Sequence, residues 1–243
     1  QPLYRNDQQP RPKTPIADSP TLLNTPLNKV SILTSHNSFL HTLQVASVSS
    51  TRGIDIALKK GARCIELDLF REEGKPTEIY VAHGQEKTPD IIGTTKMPLQ
   101  DALEFIAENA FATTSDPLFI ALEINCHREQ AACDTIAYML RTYLGNRLYK
   151  GQINPNVLLK DLVGKIIIIH SGGMGDELLG TVNEEWGATF QNAPYTVGLD
   201  SLAVGSSAVR IYPTGSSSDI LSTNYDAMPM LRAGATFVAM NLC

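Results

Sequence analysis

Four short polar clusters along the chain each follow an apolar, strand-like run of residues. They are Ser35-His36-Asn37, Glu66-Leu67-Asp68, His83-Gly84 and Glu123-Ile124-Asn125. Together they supply histidines, carboxylates and an amide, which are the side chains that metal-assisted phosphate chemistry uses. In a β/α barrel the carboxyl ends of the strands open onto one face, and active sites lie there. The pattern therefore favours an enzyme.

Glu66 and Asp68 are two acids separated by one residue in a strand-like run. Side chains alternate along a strand, so both acids project to the same side. A hard cation would relieve their repulsion, and Glu123 and Asn37 would add oxygen ligands suited to Ca²⁺ or Mg²⁺. The alternative is that Glu66 and Asp68 are the solvated end of an edge strand.

His36 and His83 follow the first and third predicted strands. Histidine donates to phosphoryl oxygens or exchanges a proton near neutral pH, although a single histidine is more often structural. His170 ends the fifth predicted strand and is a candidate for the same pocket. His41 and His127 are predicted to lie at the surface.

Arg210 and Tyr212 share one face of a late strand that ends at Pro213. A guanidinium suits bidentate contact with a phosphate or with vicinal hydroxyls, and a phenol ring offers a stacking surface. We predict that these two residues contact a substrate.

The length of 243 residues is typical of one β/α barrel, and a 43% hydrophobic content predicts a globular chain. The net charge of -5 provides no basic footprint. It therefore argues against nucleic acid as the main partner and against strong attraction to anionic membranes. The four cysteines have no disulfide or zinc spacing, which predicts reduced core thiols in a cytoplasmic protein. No signal peptide or membrane span is visible, and a start without Met and a stop in an apolar run suggest a fragment.

Strand-like and helix-like segments alternate from Val30 onwards, which predicts parallel strands joined by right-handed crossovers. The spacing of apolar residues predicts helices over 53–60, 98–109 and 128–143. Six strands are readable, and the pattern over 181–203 is too weak to assign one or two more. Residues 1–27 are polar and proline-rich, which predicts a loosely held arm.

The order of these motifs resembles that of the phosphoinositide-specific phospholipase C family of the metazoan and fungal, calcium-dependent kind. The segments similar to the family's X half are Ser35 to Phe39, Gly61 to Asp68, Tyr80 to Gly84, Leu122 to Cys126 and Leu162 to Ile166. The segments similar to its Y half are Val209 to Pro213, Ser222 to Tyr225 and Gly234 to Asn241.

The resemblance implies an α/β fold, a distorted TIM (β/α)8 barrel that we expect to be incomplete at the C-terminus. It divides the chain into an N-terminal arm (1–27), an X half (28–170), a short linker (171–187) and a Y half (188–243). The implied reaction cleaves phosphatidylinositol lipids to diacylglycerol and inositol phosphate through a cyclic phosphodiester. The expected partner is the membrane lipid, met by transient contact of a cytoplasmic, monomeric protein with the membrane surface.

The resemblance also implies a role for each candidate residue. Asn37, Glu66, Asp68 and Glu123 would hold catalytic Ca²⁺, with Glu66 also taking the proton of the inositol 2-hydroxyl. His36 would stabilise the phosphorane, and His83 would protonate the departing oxygen. Arg210, Tyr212, His170 and Ser171 would contact the substrate.

Two departures from the family's pattern affect the expected substrate and membrane contact. Lysines that bind a ring phosphate in the family are replaced here by Ile169-His170-Ser171, which favours unphosphorylated or singly phosphorylated phosphatidylinositol. The apolar rim is thinned, and Phe39, Leu40, Leu43 and Val45 are predicted to form a modest insertion ridge. The rival hypotheses are a glycerophosphodiester phosphodiesterase and a catalytically silent, lipid-binding relative of the phospholipases.

Overall fold

The computed structural model describes residues 15–41, 48–84, 95–126, 129–150, 153–171, 184–185, 189–214 and 224–242. The strands in these residues are β1 (Ile32–Ser35), β2 (Cys64–Glu72), β3 (Lys75–Val81), β4 (Met97–Pro98), β5 (Leu118–Asn125), β6 (Ile166–Ser171), β7 (Glu184–Glu185), β8 (Phe190–Pro194), β9 (Ala208–Tyr212) and β10 (Phe237–Met240). The α-helices are α1 (Pro20–Leu23), α2 (Thr51–Lys59), α3 (Leu99–Asn109), α4 (Gln130–Leu144) and α5 (Met228–Ala233). Short 3-10 turns cover Ile16–Asp18, Leu27–Lys29, Gly145–Arg147, Leu159–Asp161 and Leu199–Ser201.

Eight strands form one parallel sheet in the order β7-β6-β5-β2-β1-β10-β9-β8. The first strand of the chain lies beside the last, as a (β/α)8 barrel requires. Over the described residues β7 and β8 do not pair with each other, so the sheet is not closed between them. The predicted α/β class is confirmed, and β7 and β8 come from the segment in which no strand was assigned.

β3 corrects the prediction that the third strand of the chain is a parallel member of the barrel. It pairs antiparallel with the extended end of β2, and Gly74 between them has a φ of 71°. Only two residues separate β2 from β3, which is enough for a hairpin, whereas a parallel return needs a crossover of a dozen residues or more. The third strand of the barrel is therefore β5.

Alternate residues of the parallel strands face two different apolar clusters. Cys64 of β2 and Phe119 of β5 belong to the inner cluster. The next residue of each strand, Ile65 and Ile120, belongs to the outer cluster beneath α2, α3 and α4. Glu66 and Asp68 lie two and four residues beyond Cys64, and Glu123 lies four beyond Phe119. All three carboxylates therefore face the barrel interior.

The three predicted helices are confirmed to within two residues at each end, as α2, α3 and α4. In α3 the buried positions are those that the apolar spacing predicted: Leu99, Ala102, Leu103 and Ile106. Pro98 precedes this helix as its N-cap.

α2 packs tightly on the loop that follows β1. A Cβ on Gly53 would lie 2.5 Å from the carbonyl oxygen of Leu40 and 2.6 Å from that of Ser38. Phe39 and Leu40 are buried in the outer cluster. The predicted membrane ridge is therefore wrong for these two residues, and its other members lie outside the described residues.

Residues from 15 onwards pack on the barrel: the Ile16 N–H donates to Asp116 Oδ1 at 2.6 Å, and Leu27 is buried. Residues 1–14 of the predicted arm lie outside the described residues.

Cys64, Cys126 and Cys133 are buried free thiols, as predicted. In the described ranges, no helix has both the length and the apolar character needed to cross a bilayer.

Candidate active site

Three carboxylates meet inside the mouth of the barrel. Glu66 and Asp68 come from β2 and Glu123 from β5, and Asp68 and Glu123 are partners in the strand register. One oxygen of each lies within 4.8 Å of the others. Glu66 and Asp68 are buried, and Asp68 Oδ1 has no hydrogen-bond partner among the described residues.

The crowding of these acids shifts their pKa values in a way that favours a bound cation. Burial and the neighbouring Glu66 raise the pKa of Asp68 well above its usual value. Asp68, burial and Glu66 raise the pKa of Glu123 to about 8. A hard divalent cation would neutralise this repulsion and take the buried Asp68 oxygen as a ligand, so the donor set fits Ca²⁺ or Mg²⁺.

Glu66 differs from the other two acids because its carboxylate is held by a buried arginine. Arg210 Nη2 donates to Glu66 Oε1 at 2.7 Å, and Arg210 Nη1 donates to Asn192 Oδ1 at 3.0 Å. Burial alone would raise the pKa of Glu66, but the Arg210 and His36 charges and the hydrogen bonds from Arg210 and the Asn37 N–H together hold this pKa below its usual value. Arg210, only 2% exposed, therefore acts on the acid cluster directly.

Asn37 connects the acids to His83 across the loop after β1. It adopts a left-handed backbone with a φ of 45°, which asparagine tolerates better than most residues. Its N–H donates to Glu66 Oε2 at 3.0 Å, and its side-chain nitrogen lies 3.3 Å from His83 Nδ1.

Both predicted histidines lie beside the acid cluster. His36 Nε2 is 3.7 Å from Glu66 Oε2, and His83 Nδ1 is 3.7 Å from Asp68 Oδ2. Burial lowers the pKa of each ring, although the Glu66 charge acts in the opposite direction on both. Each imidazole thus lies beside a different carboxylate of the cluster.

Of the predicted substrate contacts, Arg210 and Tyr212 lie together, with the Arg210 guanidinium 5.7 Å from the centre of the Tyr212 ring. The side chain of Ser171 lies outside what the structure describes.

His170 does not join the site. Ile169 belongs to the inner cluster and Ile168 to the outer one, so alternation places His170 on the outer face of β6. It is buried, its ring nitrogens have no hydrogen-bond partner among the described residues, and burial lowers its pKa to about 4. This position argues against a role in substrate binding.

Three site residues were not identified from the sequence. Ser38 accepts a hydrogen bond from the Glu66 N–H at 3.0 Å and donates to the Ser35 carbonyl at 3.1 Å, which ties β1 to β2. Asn192 supports Arg210, and Asn241 Oδ1 lies 2.9 Å from His36 Nδ1. Ser38 and Asn241 lie in segments that resemble the family's motifs, which could have drawn attention to them. Asn192 lies in residues 181–203, where the sequence pattern predicted no strand.

The chain is similar to known proteins over most of its length. Residues 23–171 match the family model "Phosphatidylinositol-specific phospholipase C, X domain". The chain is 34% identical over 128 residues to 1-phosphatidylinositol 4,5-bisphosphate phosphodiesterase 1 of Saccharomyces cerevisiae, a match that covers 53% of this chain and 13% of the yeast protein. It is 32% identical over 176 residues to 1-phosphatidylinositol 4,5-bisphosphate phosphodiesterase delta-3-A of Danio rerio. That match covers 70% of this chain and 21% of the Danio rerio protein. The chain thus matches no more than about a fifth of either relative.

Two solved structures share the fold over nine tenths or more of this chain. PLC21 of L. pealei superposes with a TM-score of 0.78 at 22% identity, covering 91% of this chain and 34% of that one. A calcium-dependent phosphoinositol-specific phospholipase C from Pseudomonas sp. gives a TM-score of 0.62 at 12% identity, covering 96% and 95%. At these identities the likeness establishes the α/β fold, and it is consistent with a distorted barrel.

Proposed function

Because the chain belongs to the phosphatidylinositol-specific phospholipase C X-domain family, we propose that it is a calcium-dependent phospholipase C acting on phosphatidylinositol lipids. The products would be diacylglycerol and an inositol phosphate, formed through a cyclic phosphodiester. The observation that carries the proposal is the cluster of three carboxylates with two imidazoles beside it. The names of the relatives, which are 4,5-bisphosphate phosphodiesterases, support a phosphoinositide as substrate.

Glu66, Asp68, Glu123 and Asn37 are the proposed ligands of Ca²⁺. The raised pKa values of Asp68 and Glu123 support this assignment, as does the Asp68 oxygen that has no partner within the described part of the chain. Asn37 lies beside both the acids and His83, because its backbone N–H bonds Glu66 Oε2 and its side-chain nitrogen lies 3.3 Å from His83 Nδ1. When bound, Ca²⁺ supplies positive charge to the phosphodiester and lowers the pKa of the inositol 2-hydroxyl.

Glu66 is the proposed acceptor of the proton from the inositol 2-hydroxyl. Its lowered pKa keeps it ionised, while Arg210 and the Asn37 N–H fix the two oxygens in place. Such a carboxylate contributes chiefly through its fixed position. The 2-hydroxyl oxygen then forms its bond to phosphorus as the bond to the diacylglycerol oxygen breaks.

His83 is the proposed acid for the departing diacylglycerol oxygen. As an imidazolium it gives up its Nε2 proton to this oxygen, while its Nδ1 lies 3.7 Å from Asp68 Oδ2. The bare Nε2 then takes a proton from the water that opens the cyclic phosphodiester. His36, beside Glu66, would stabilise the charge that develops on the phosphoryl oxygens.

Arg210 and Tyr212 are the proposed contacts to the inositol headgroup, and Ser171 keeps this proposed role from the sequence. Arg210 is already bonded to Glu66, so it would orient the acid and the ring together. His170 is left out because of its place on the outer face of β6.

The first test is turnover of phosphatidylinositol vesicles with Ca²⁺ and with EGTA, followed by ³¹P NMR to identify the products. We expect cyclic and then acyclic inositol phosphate with Ca²⁺, and loss of turnover with EGTA. The variants His83→Ala and Glu66→Gln should lower kcat by about 10²-fold or more, because each removes a proton-transferring group. Gln is used because it keeps an oxygen for Arg210, whereas Ala would leave that guanidinium buried and unpaired.

His41→Ala is the matched control, since His41 bonds Ser50 on the loop before α2 and has no proposed role. It should keep wild-type turnover. Release of glycerol phosphate would identify a glycerophosphodiester phosphodiesterase, and vesicle binding without turnover would identify a silent lipid-binding relative. Either result would overturn the proposal.

The remaining parts of the proposal follow from the substrate and the cysteines. A lipid substrate requires transient contact with a membrane surface, and the free thiols are consistent with a cytoplasmic protein. We propose that the chain acts as a monomer, which sedimentation of the purified protein would test.

A further inference from the structure

His36 meets a residue from the far end of the chain at the junction of β1 and β10. The His36 N–H donates to the Met240 carbonyl at 2.9 Å, which continues the strand pairing by one residue. This brings Asn241 beside the imidazole, with Asn241 Oδ1 2.9 Å from His36 Nδ1. No role proposed above uses Asn241.

The contact determines where the proton of a neutral His36 lies. An amide oxygen can only accept, so the Nδ1 that faces it must carry a hydrogen. A neutral imidazole has one N–H, and its Nε2 is then a bare acceptor directed at Glu66 Oε2, 3.7 Å away. Nε2 therefore donates to a phosphoryl oxygen only when the ring is a cation.

Asn224 holds Asn241 in position through two hydrogen bonds to its backbone. Asn224 Oδ1 accepts from the Asn241 N–H at 2.7 Å, and Asn224 Nδ2 donates to the Asn241 carbonyl at 3.0 Å. The side-chain amide thus imitates a neighbouring strand at the point where β10 ends. The adjacent Tyr225 hydroxyl donates to the Ala239 carbonyl at 3.0 Å, which secures the same strand end.

We propose that Asn241, clamped by Asn224, is a positioning residue that fixes the Nδ1–H tautomer and the ring orientation of His36. The effect on the reaction rate rests on the proposed phospholipase function, whereas the tautomer is a property of the protein alone. Metal ligands and their neighbours are often held by outer hydrogen bonds whose loss lowers activity about 10-fold to 100-fold. The same scale is expected here for kcat.

The tautomer is tested by long-range ¹H–¹⁵N correlation spectra of the ¹⁵N-labelled protein at a pH at which the ring is neutral. The His36 signals are assigned by their loss in His36→Gln. We expect a protonated Nδ1 and a bare Nε2 in the wild type, and averaging between both tautomers in Asn241→Ala. Asn241→Asp keeps an acceptor and should restore the wild-type pattern.

Kinetics on phosphatidylinositol then test whether the two asparagines act as one unit. Asn241→Ala should lower kcat about 10-fold to 100-fold with KM within about threefold, and Asn224→Ala should give a smaller loss. The double variant should be no slower than Asn241→Ala, because both changes act through the same ring. Asn109→Ala is the control, since within the described residues the Asn109 side chain donates only to the Phe105 carbonyl of its own helix.

The proposal is overturned if the wild-type spectrum shows a protonated Nε2, or if Asn241→Ala leaves the spectrum unchanged. It is equally overturned if the losses of the two single variants multiply in the double variant. A wild type without turnover but with the expected spectrum would refute the proposed function and leave the tautomer assignment standing.

Discussion

Glu66 contacts more of the described site residues than either of the other two acids does. Its two oxygens accept from Arg210 and from the Asn37 backbone, and Oε2 also faces His36. Asp68 lies two residues after Glu66 on β2 and pairs with Glu123 of β5. In the described structure neither acid is bonded to a cationic side chain as Glu66 is to Arg210, and the pKa of each is raised. The site thus contains one acid held ionised by the protein and two that need an external positive charge.

This difference predicts how Ca²⁺ binding depends on pH. Asp68 and Glu123 must lose protons before they bind a cation, so the Kd for Ca²⁺ should fall about tenfold per pH unit for each proton displaced, up to about pH 8. Calorimetry in two buffers of different ionisation enthalpy would measure both the Kd and the protons released. A Kd that is constant between pH 6 and pH 8 would contradict the prediction.

The same carboxyls should make the ion-free protein less stable as pH rises. In the unfolded chain they titrate near about 4, whereas in the fold their pKa is raised. Their contribution is therefore fully present below about pH 4 and is lost as pH rises to about 8. The gap in Tm between the Ca²⁺-loaded and EDTA-treated protein should widen over this range.

The positions of the candidate site residues could be predicted where the strands carry a polarity signal. On β2, polar Glu66 and Asp68 alternate with apolar residues, and alternation correctly placed both on one face. β6 is apolar on both faces, so its pattern does not distinguish the inner face from the outer one, and His170 was misplaced. β3 was misassigned because a strand within a hairpin has the same composition as one within the barrel.

At the scale of elements, the loop after β1 owes its shape to the close approach of α2. Gly53→Ala would place a methyl group within 2.6 Å of two backbone oxygens, which cannot swing aside as side chains do. The gain of about 1 kcal/mol in helix propensity should be outweighed by a steric cost of about 1–3 kcal/mol. We expect a lower free energy of unfolding and weaker Ca²⁺ binding, because the displaced loop carries Asn37.

Denaturant unfolding and calcium titration of Gly53→Ala would measure these two effects. Arg52→Ala, at the exposed neighbouring position of the same helix, is the control and should change neither. A Gly53→Ala protein as stable as the wild type, with unaltered Ca²⁺ affinity, would show that the loop adapts without cost.

At the scale of the whole molecule, the charge distribution predicts the preferred lipid. The chain carries a net charge of -5, Ile169 faces the interior where the family resemblance implies a lysine, and Arg210 is already paired with Glu66. Each missing charge-assisted contact to a ring phosphate is worth about 1.5–3 kcal/mol, or about tenfold or more in rate at low substrate.

We therefore expect faster turnover of phosphatidylinositol than of its 4,5-bisphosphate when both compete in one vesicle. Quantifying the two inositol phosphates from the same reaction removes differences in vesicle binding. A strong preference for the bisphosphate would mean that other cations of the chain take the place of the lysines.

The pairing of β1 with β10 has a consequence for the time at which the site can form. His36 and Asn241 are 205 residues apart, and the ring of strands brings them together only through its final member. During synthesis the acids of β2 and β5 emerge early. The His36 imidazole has no contact with the Asn241 side chain until the ribosome has passed β10. A nascent chain therefore carries the three acids of the proposed site well before it acquires the residue that faces the His36 ring, so the complete proposed site can form only once β10 and Asn241 have been synthesised.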